Sequence, residues 1–208
     1  MDIRELDYAE LENYLGEIGE PKFRTKQFFS WIHNYQITDF NEAHNVGKKL
    51  LQQLKDDAYT IESPILKKRF VSKDGTEKYL LELKDGALIE SVLMRYRGDF
   101  SKQRNTLCVS SQVGCAMGCV FCATGHQGFS RNMTTAEILS EIYLANRILG
   151  EQEHGQEIRN IVFMGMGEPF NNFENVMKAS DILCHPNGMN LSPRRITIST
   201  CGVVPKLI

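Results

Sequence analysis

The sequence predicts an α/β fold: the first part of a parallel (β/α) barrel, preceded by a small helical domain and a short β-meander. Three observations carry this. Apolar residues recur at helical spacing through residues 5–60, the period changes to two between Pro64 and Arg97, and from Asn105 onward strand-like and helical runs alternate. The divisions fall at 1–60 for the helical domain, 61–104 for the meander and 105–208 for the barrel portion.

In the helical part, Leu11, Tyr14, Leu15 and Ile18 mark one helix, which Gly19-Glu20-Pro21 breaks. A second runs from Lys22 to His33, with Phe28, Phe29, Trp31 and Ile32 packed inside and Lys22, Arg24 and Lys26 near its start. Basic residues beside aromatics suit phosphates and bases; a solvated helix end over an aromatic core explains them too, and the pattern favours it. A third helix spans about Gly47 to Leu54.

Two Asp-Gly turns, Lys73-Asp74-Gly75-Thr76 and Lys84-Asp85-Gly86-Ala87, separate the three strands of the meander. In the third, Leu88, Glu90, Val92 and Met94 share one face and Ile89, Ser91 and Leu93 the other. A carboxylate among apolar neighbours is raised toward the range of a general base. By pattern alone Glu90 reads instead as an edge-strand residue reaching water.

Beyond the meander, the expected order is a strand at Thr106–Ser111, a cysteine-rich loop, and a helix from Thr134 or Thr135 to about Leu149 with Glu137 in its first turn. A strand at Ile158–Met164 follows, then a Gly-rich loop, a helix over about Phe173 to Leu183 and a strand at Arg195–Thr200. Val203 to Ile208 reads as the opening of another helix. Three parallel strands leave bare edges, so the chain reads as C-terminally truncated.

Charge is uneven. Residues 1–60 carry net −4, residues 61–131 net +4 and residues 132–208 net −2. The overall net charge of −2 excludes a uniformly basic nucleic-acid binder, while the middle third suits a polyanion or is simply a solvated surface. No apolar window is long enough to span a membrane, and Met1-Asp2-Ile3-Arg4-Glu5 is unlike a secretory leader. The expected location is the cytoplasm, where cysteines more often bind metal or act in catalysis than pair.

The cysteines carry most of the functional signal. Cys115, Cys119 and Cys122 place three thiols within eight residues. Thiolates ligate soft metals and iron–sulfur clusters, and three ligands leave the fourth iron of a [4Fe–4S] cluster open to a small molecule. Structural zinc wants four ligands, for which only His126 stands near. Cys184 and Cys201 read as small buried hydrophobes.

The C-x3-C-x2-C spacing, with Phe121 before the last cysteine, resembles the radical S-adenosylmethionine (radical SAM) superfamily. Within it four stretches resemble the RlmN/Cfr-type RNA adenine methyltransferase family. They are Cys108-Val-Ser-Ser-Gln-Val-Gly-Cys115, Phe121-Cys122-Ala-Thr-Gly125, Phe163-Met-Gly-Met-Gly-Glu-Pro169 and Ser192-Pro-Arg-Arg-Ile-Thr-Ile-Ser-Thr200. The resemblance covers nearly the whole chain, and the fold it implies is a radical SAM barrel.

The resemblance implies that Cys115, Cys119 and Cys122 hold a [4Fe–4S] cluster whose open iron chelates SAM, and that Gly167, Glu168 and Ser199 contact SAM. One SAM methylates a cysteine near the C-terminus; a second is cleaved to a 5′-deoxyadenosyl radical that takes hydrogen from that methyl group. The carbon radical adds to adenine as a protein–RNA adduct, and a second cysteine, here Cys108, then forms a disulfide and releases product. Glu90 matches the base that removes the ring proton in the C2-methylating branch, and the Ile89-Glu90-Ser91-Val92 run favours that branch over the C8 one. This reverses the pattern-only reading of Glu90.

The implied partners are 23S rRNA, tRNA and a low-potential electron donor of flavodoxin or ferredoxin type, with no membrane. The methyl-carrying cysteine has no counterpart here, so the chain alone is expected to be inactive and its full-length parent to be the enzyme. Three alternatives stay open: the C8 branch, a different radical SAM reaction, and a non-catalytic RNA-binding or zinc-binding fragment.

Overall fold

The protein is described from a computed structural model, which covers residues 1–97 and 104–203. Residues 204–208, within the expected final helix, lie outside that range.

Three helices open the chain: α1 (Tyr8–Glu17), α2 (Phe23–His33) and α3 (Lys48–Asp56). A capping box starts α1, with Asp7 Oδ1 accepting from Glu10 N and Glu10 Oε2 from Asp7 N, both at 2.8 Å. Leu11, Leu15, Phe28, Phe29, Ile32, Leu50 and Leu54 fill the space between the helices. Lys22 and Lys26 stay exposed, whereas Arg24 pairs with Glu20 at 3.2 Å.

The meander strands are β1 (Ile65–Val71), β2 (Glu77–Glu82) and β3 (Leu88–Tyr96). They are followed by β4 (Arg104–Val109), a short hairpin of β5 (Gln112–Gly114) and β6 (Phe129–Asn132), then β7 (Asn160–Phe163) and β8 (Ile196–Ile198). The main sheet has the order β1-β2-β3-β4-β7-β8, antiparallel from β1 to β4 and parallel from β4 to β8. The meander is thus hydrogen-bonded into the same sheet as the barrel strands.

One register row crosses all six strands: Phe70, Lys78, Val92, Cys108, Val162 and Thr197. Side chains alternate across a sheet, so this row and Glu90 and Met94 share its half-open face. The opposite face presents Tyr79, Leu81, Ile89, Leu93, Leu107, Ile161 and Phe163 to the core.

Three helices accompany the second half: α4 (Ala123–Gln127), α5 (Thr135–Gln152) and α6 (Phe173–Cys184). The expected capping box is present, Thr134 Oγ1 accepting from Glu137 N at 3.2 Å and Glu137 Oε2 from Thr134 N at 2.9 Å. Ile138, Leu139 and Ile142 of α5 and Val176 and Ala179 of α6 bury against the sheet. The helical domain docks on them: His33 Nδ1 lies 2.8 Å from the Tyr143 hydroxyl, and Lys178 pairs with Glu10 at 2.6 Å. No described helix is long and apolar enough to cross a membrane.

The strand expected over Thr106–Ser111 ends at Val109. Ser110 and Ser111 leave the ladder because they bond the loop after β7 instead, Ser111 N donating to Met166 O at 2.8 Å and Ser110 Oγ accepting from Met166 N at 3.0 Å.

Candidate functional site

The cysteines occupy the loop between β5 and β6, whose neck is closed by a Cys115 N to Gly128 O bond of 2.9 Å. Gly114 has φ +76°, and a Cβ there would stand 2.0 Å from Gly128 O, so the neck admits only glycine. Cys115, Cys119 and Cys122 are all half-buried free thiols. Backbone N–H groups of Gly125 and Thr124 and the Thr124 hydroxyl bond to Cys122 and, against a small burial penalty, hold its thiol below the ordinary range.

This donor set, three thiols on one short loop, fits an iron–sulfur cluster by its chemistry. Among the described residues no three His, Cys, Asp or Glu side chains converge into a single-ion shell. His126, the fourth zinc ligand the sequence suggests, turns its Nε2 to Val120 O at 3.3 Å. Three soft thiols on one closed loop are the donor type that an iron–sulfur cluster takes.

The Gly167-Glu168 loop lies against the same neck. Gly165 N donates to Val109 O at 3.0 Å and Glu168 N to the Gln112 side-chain Oε1 at 2.9 Å. Glu168 is buried, and its oxygens accept from Phe170 N at 3.0 Å and Cys201 N at 2.8 Å. Burial pushes its carboxyl up, but the Cys201 N–H and thiol, Phe170 N–H and Thr200 hydroxyl outweigh that and hold it below the usual carboxylate range.

Ser199 follows β8, exposed, with its N–H 3.4 Å from Phe163 O. The cysteine loop, Glu168 and Ser199 therefore all follow the C-terminal ends of parallel strands β4, β7 and β8, where α/β sheets bind ligands.

Cys201 corrects the reading of a small buried hydrophobe. It is exposed, its thiol bonds Glu168, and it lies within electrostatic reach of Cys119; the Glu168 carboxylate chiefly, with burial and Cys119, pushes that thiol up to about 11. Cys184 is half-buried at the end of α6.

Cys108 lies in the central register row, half-buried. Burial first and then Glu141 push its thiol up to about 11, although the Met164 N–H works the other way. All six cysteines are free.

Glu90 sits on the same open face and is not desolvated as a carboxylate among apolar neighbours would be. Its side chain is 43% exposed and pairs with Lys78 Nζ at 2.8 Å. Nor is its strand an edge, since β3 runs between β2 and β4. The open sheet face itself leads Glu90 to solvent.

Sequence reasoning missed Lys78, Gln112, Glu141 and Asn172. Asn172 Nδ2 donates to Ser111 O and Met133 O, both at 2.7 Å, fastening the neck from behind. The available signal was the run of polar residues Ser110-Ser111-Gln112 at a strand end, where exposure would be the ordinary expectation.

Residues 1–60 match the family of ribosomal RNA large subunit methyltransferase N-terminal domains, and residues 109–208 match the radical SAM superfamily. A dual-specificity RNA methyltransferase RlmN of Oleidesulfovibrio alaskensis is 47% identical over 207 residues, 99% of this chain and 56% of that protein. One from Pelobacter propionicus is 45% identical over 208 residues, with 99% and 56% covered. The crystal structure of a radical SAM methyltransferase from Sphaerobacter thermophilus superposes with a TM-score of 0.86 at 41% identity, covering 99% of this chain and 58% of that one. The chain thus spans little more than half the length of these relatives.

Proposed function

We propose that this chain, which belongs with the radical SAM proteins of the RlmN type, forms the cluster-bearing and SAM-binding part of an RNA methyltransferase acting on C2 of adenine. The observation that carries this is the meeting of three groups at one end of the parallel strands. The half-buried thiols of the closed loop, the buried Glu168 carboxylate and the Ser199 turn converge there.

Cys115, Cys119 and Cys122 would hold a [4Fe–4S] cluster. That group, when bound, supplies the electron for reductive cleavage of SAM. The residues around it bind and orient. The Cys122 thiol is already held toward its anionic form, as a ligand must be. Glu168, kept ionised by its donors, offers a buried acceptor for the SAM ammonium. Gly167 lets the backbone approach closely, and Ser199 adds a hydroxyl at the end of β8.

On the open sheet face, Glu90 is proposed as the base that removes the adenine ring proton and Cys108 as the thiol that helps release product. Lys78 Nζ pairs with Glu90 at 2.8 Å and holds the carboxylate on that open face. The substrates are adenines of 23S rRNA and tRNA, unstacked before ring chemistry. The electron source is a low-potential donor of flavodoxin or ferredoxin type, and the site of action is the cytoplasm.

The test is anaerobic reconstitution with iron and sulfide, followed by electron paramagnetic resonance (EPR) of the reduced protein with and without SAM. A [4Fe–4S]⁺ signal that changes on adding SAM is expected, and Cys119→Ala should lose the cluster. Zinc in place of iron and sulfide, or normal iron in the Cys119 variant, would overturn the assignment.

A further inference from the structure

The cysteine loop and the Glu168 loop come from distant parts of the chain, and one buried side chain joins them. Gln112 is 1% exposed at the start of β5, where the cysteine loop begins, and it is paired in the ladder with Asn132, where the loop has returned. Its Oε1 accepts from Glu168 N at 2.9 Å and its Nε2 donates to Asn132 Oδ1 at 2.7 Å. Its own N–H donates to Met166 O at 3.2 Å. Asn132 Nδ2 in turn donates to Asn171 O at 3.2 Å, so the neck is fastened to the loop after β7 on both sides of Glu168.

The packing is as specific as the hydrogen bonding. Gly167 has φ +102°, and a Cβ there would meet Gln112 Cβ at 2.6 Å, Cγ at 2.7 Å and N at 2.8 Å. The Gln112 stem therefore crosses the place where Gly167 has no side chain. Its planar amide is asked for an acceptor on one side and a donor on the other. A carboxylate lacks the donor and would set a second negative charge near Glu168. A hydrocarbon would leave the buried Glu168 N–H without a partner.

We infer that Gln112 is a positioning residue: its amide ties the neck of the cysteine loop to the backbone of Glu168 and so fixes where that carboxylate stands relative to the three thiols. The inference rests on the SAM-binding role proposed for Glu168. Gln112 touches neither cluster nor SAM in this scheme; it sets the distance between the residues that do.

Three variants of this chain test it: Gln112→Met, which keeps the length of the stem and removes the amide, Gln112→Ala and Glu168→Gln. Each is reconstituted anaerobically and measured for iron and sulfide, and for the SAM concentration that half-converts the EPR signal. Amide hydrogen exchange across residues 164–170 is followed in the cluster-free protein. Gln112→Met is expected to keep its iron and sulfide, to need roughly tenfold more SAM, and to exchange the Glu168 amide faster, as loss of one buried hydrogen bond implies. Gln112→Ala should show the same change or a larger one.

An unchanged SAM midpoint in Gln112→Met beside a raised one in Glu168→Gln overturns the inference. So does loss of iron in step with the SAM response, which would make Gln112 a scaffold of the cysteine loop alone. If Glu168→Gln responds to SAM like the parent, or the parent takes up no cluster, the role proposed for the site fails instead. The Gln112 tie is then judged by exchange, and an unaltered Glu168 amide in Gln112→Met overturns it.

Discussion

Glu141 Oε1 accepts a 2.7 Å hydrogen bond from the backbone nitrogen of Ser110, the residue at which β4 leaves the ladder for the Gly167-Glu168 loop. The carboxyl belongs to α5 and is fully buried. Its second oxygen and the Ser91 hydroxyl are buried near each other and meet at less than full hydrogen-bond geometry. Burial raises this carboxyl well above the ordinary range, against the Ser110 N–H and Ser91 hydroxyl, so the neutral acid is the form that fits.

A pH dependence follows from that raised value. In the unfolded chain the group ionises near pH ~4.3. Its contribution to stability is therefore complete below that pH and is lost as pH rises toward the folded value. Glu141→Gln keeps an acceptor for Ser110 N–H and removes the titration. The variant is expected to gain on the parent above pH ~5 at up to ~1.4 kcal/mol per pH unit, until the folded group itself titrates. Urea unfolding at pH 5 and pH 8 checks this; an equal margin at both would mean that the carboxyl is not held neutral.

Glu77 shows the opposite sign. It lies 2% exposed on the core face of β2, between Arg69 at 2.6 Å and Arg95 at 2.7 Å, with the Tyr79 hydroxyl at 2.9 Å. Burial pushes the carboxyl up, yet the hydrogen bonds from Arg69, Tyr79 and Arg95 prevail and hold it at about 2. Its stabilisation is present above the unfolded value and disappears as pH falls toward 2. Glu77→Gln should cost ~3 kcal/mol at pH 7, because two guanidinium groups lose their counter-charge, and much less at pH 3. Unfolding midpoints at the two pH values decide it, a constant cost ruling the ion network out.

Gly167→Ala tests the interlock directly. A Cβ at φ +102° is strained in itself, and it would meet the Gln112 backbone nitrogen at 2.8 Å as well as the side-chain stem. The stem can turn; the backbone nitrogen, bonded to Met166 O, cannot. A loss of ~2 kcal/mol in stability is expected, along with a weakened SAM-induced change in the EPR signal at normal iron content. Unaltered unfolding and SAM response would show that the loop has room to move.

The order of elements was legible because each one announces itself locally. Thr134 and Glu137 form the capping box that their spacing predicts, and Asp74-Gly75 and Asp85-Gly86 make the meander turns. The thiols were legible by spacing alone. The β5–β6 hairpin was not, because its strands have three and four residues without alternation and its closure depends on Gly114 meeting Gly128 fourteen positions on. Gln112 was equally hidden: a glutamine is ordinarily a surface residue, and only the return of the β7 loop buries this one. Cys201 misled in the other direction, since burial tendency says nothing of the Glu168 carboxylate that the fold brings to its thiol.

That thiol supplies the last prediction. Cys201 is exposed, yet Glu168 first, then burial and Cys119, push it up to about 11. Cys108 reaches about 11 by burial above all. At pH 7 each would be thiolate in about one molecule in ten thousand, and alkylation follows the thiolate. In the cluster-free chain both are therefore expected to react slowly with iodoacetamide, with rates rising about tenfold per pH unit up to pH ~10. The two separate on mutation. Glu168→Gln removes the charge beside Cys201, so Cys201 should react faster while Cys108 keeps its rate. Peptide mass spectrometry of timed labelling resolves them. Rapid labelling of Cys201 at pH 7 in the parent protein would mean that the Glu168 contact does not hold in solution, and with it would go the link between the end of β8 and the Gly167-Glu168 loop.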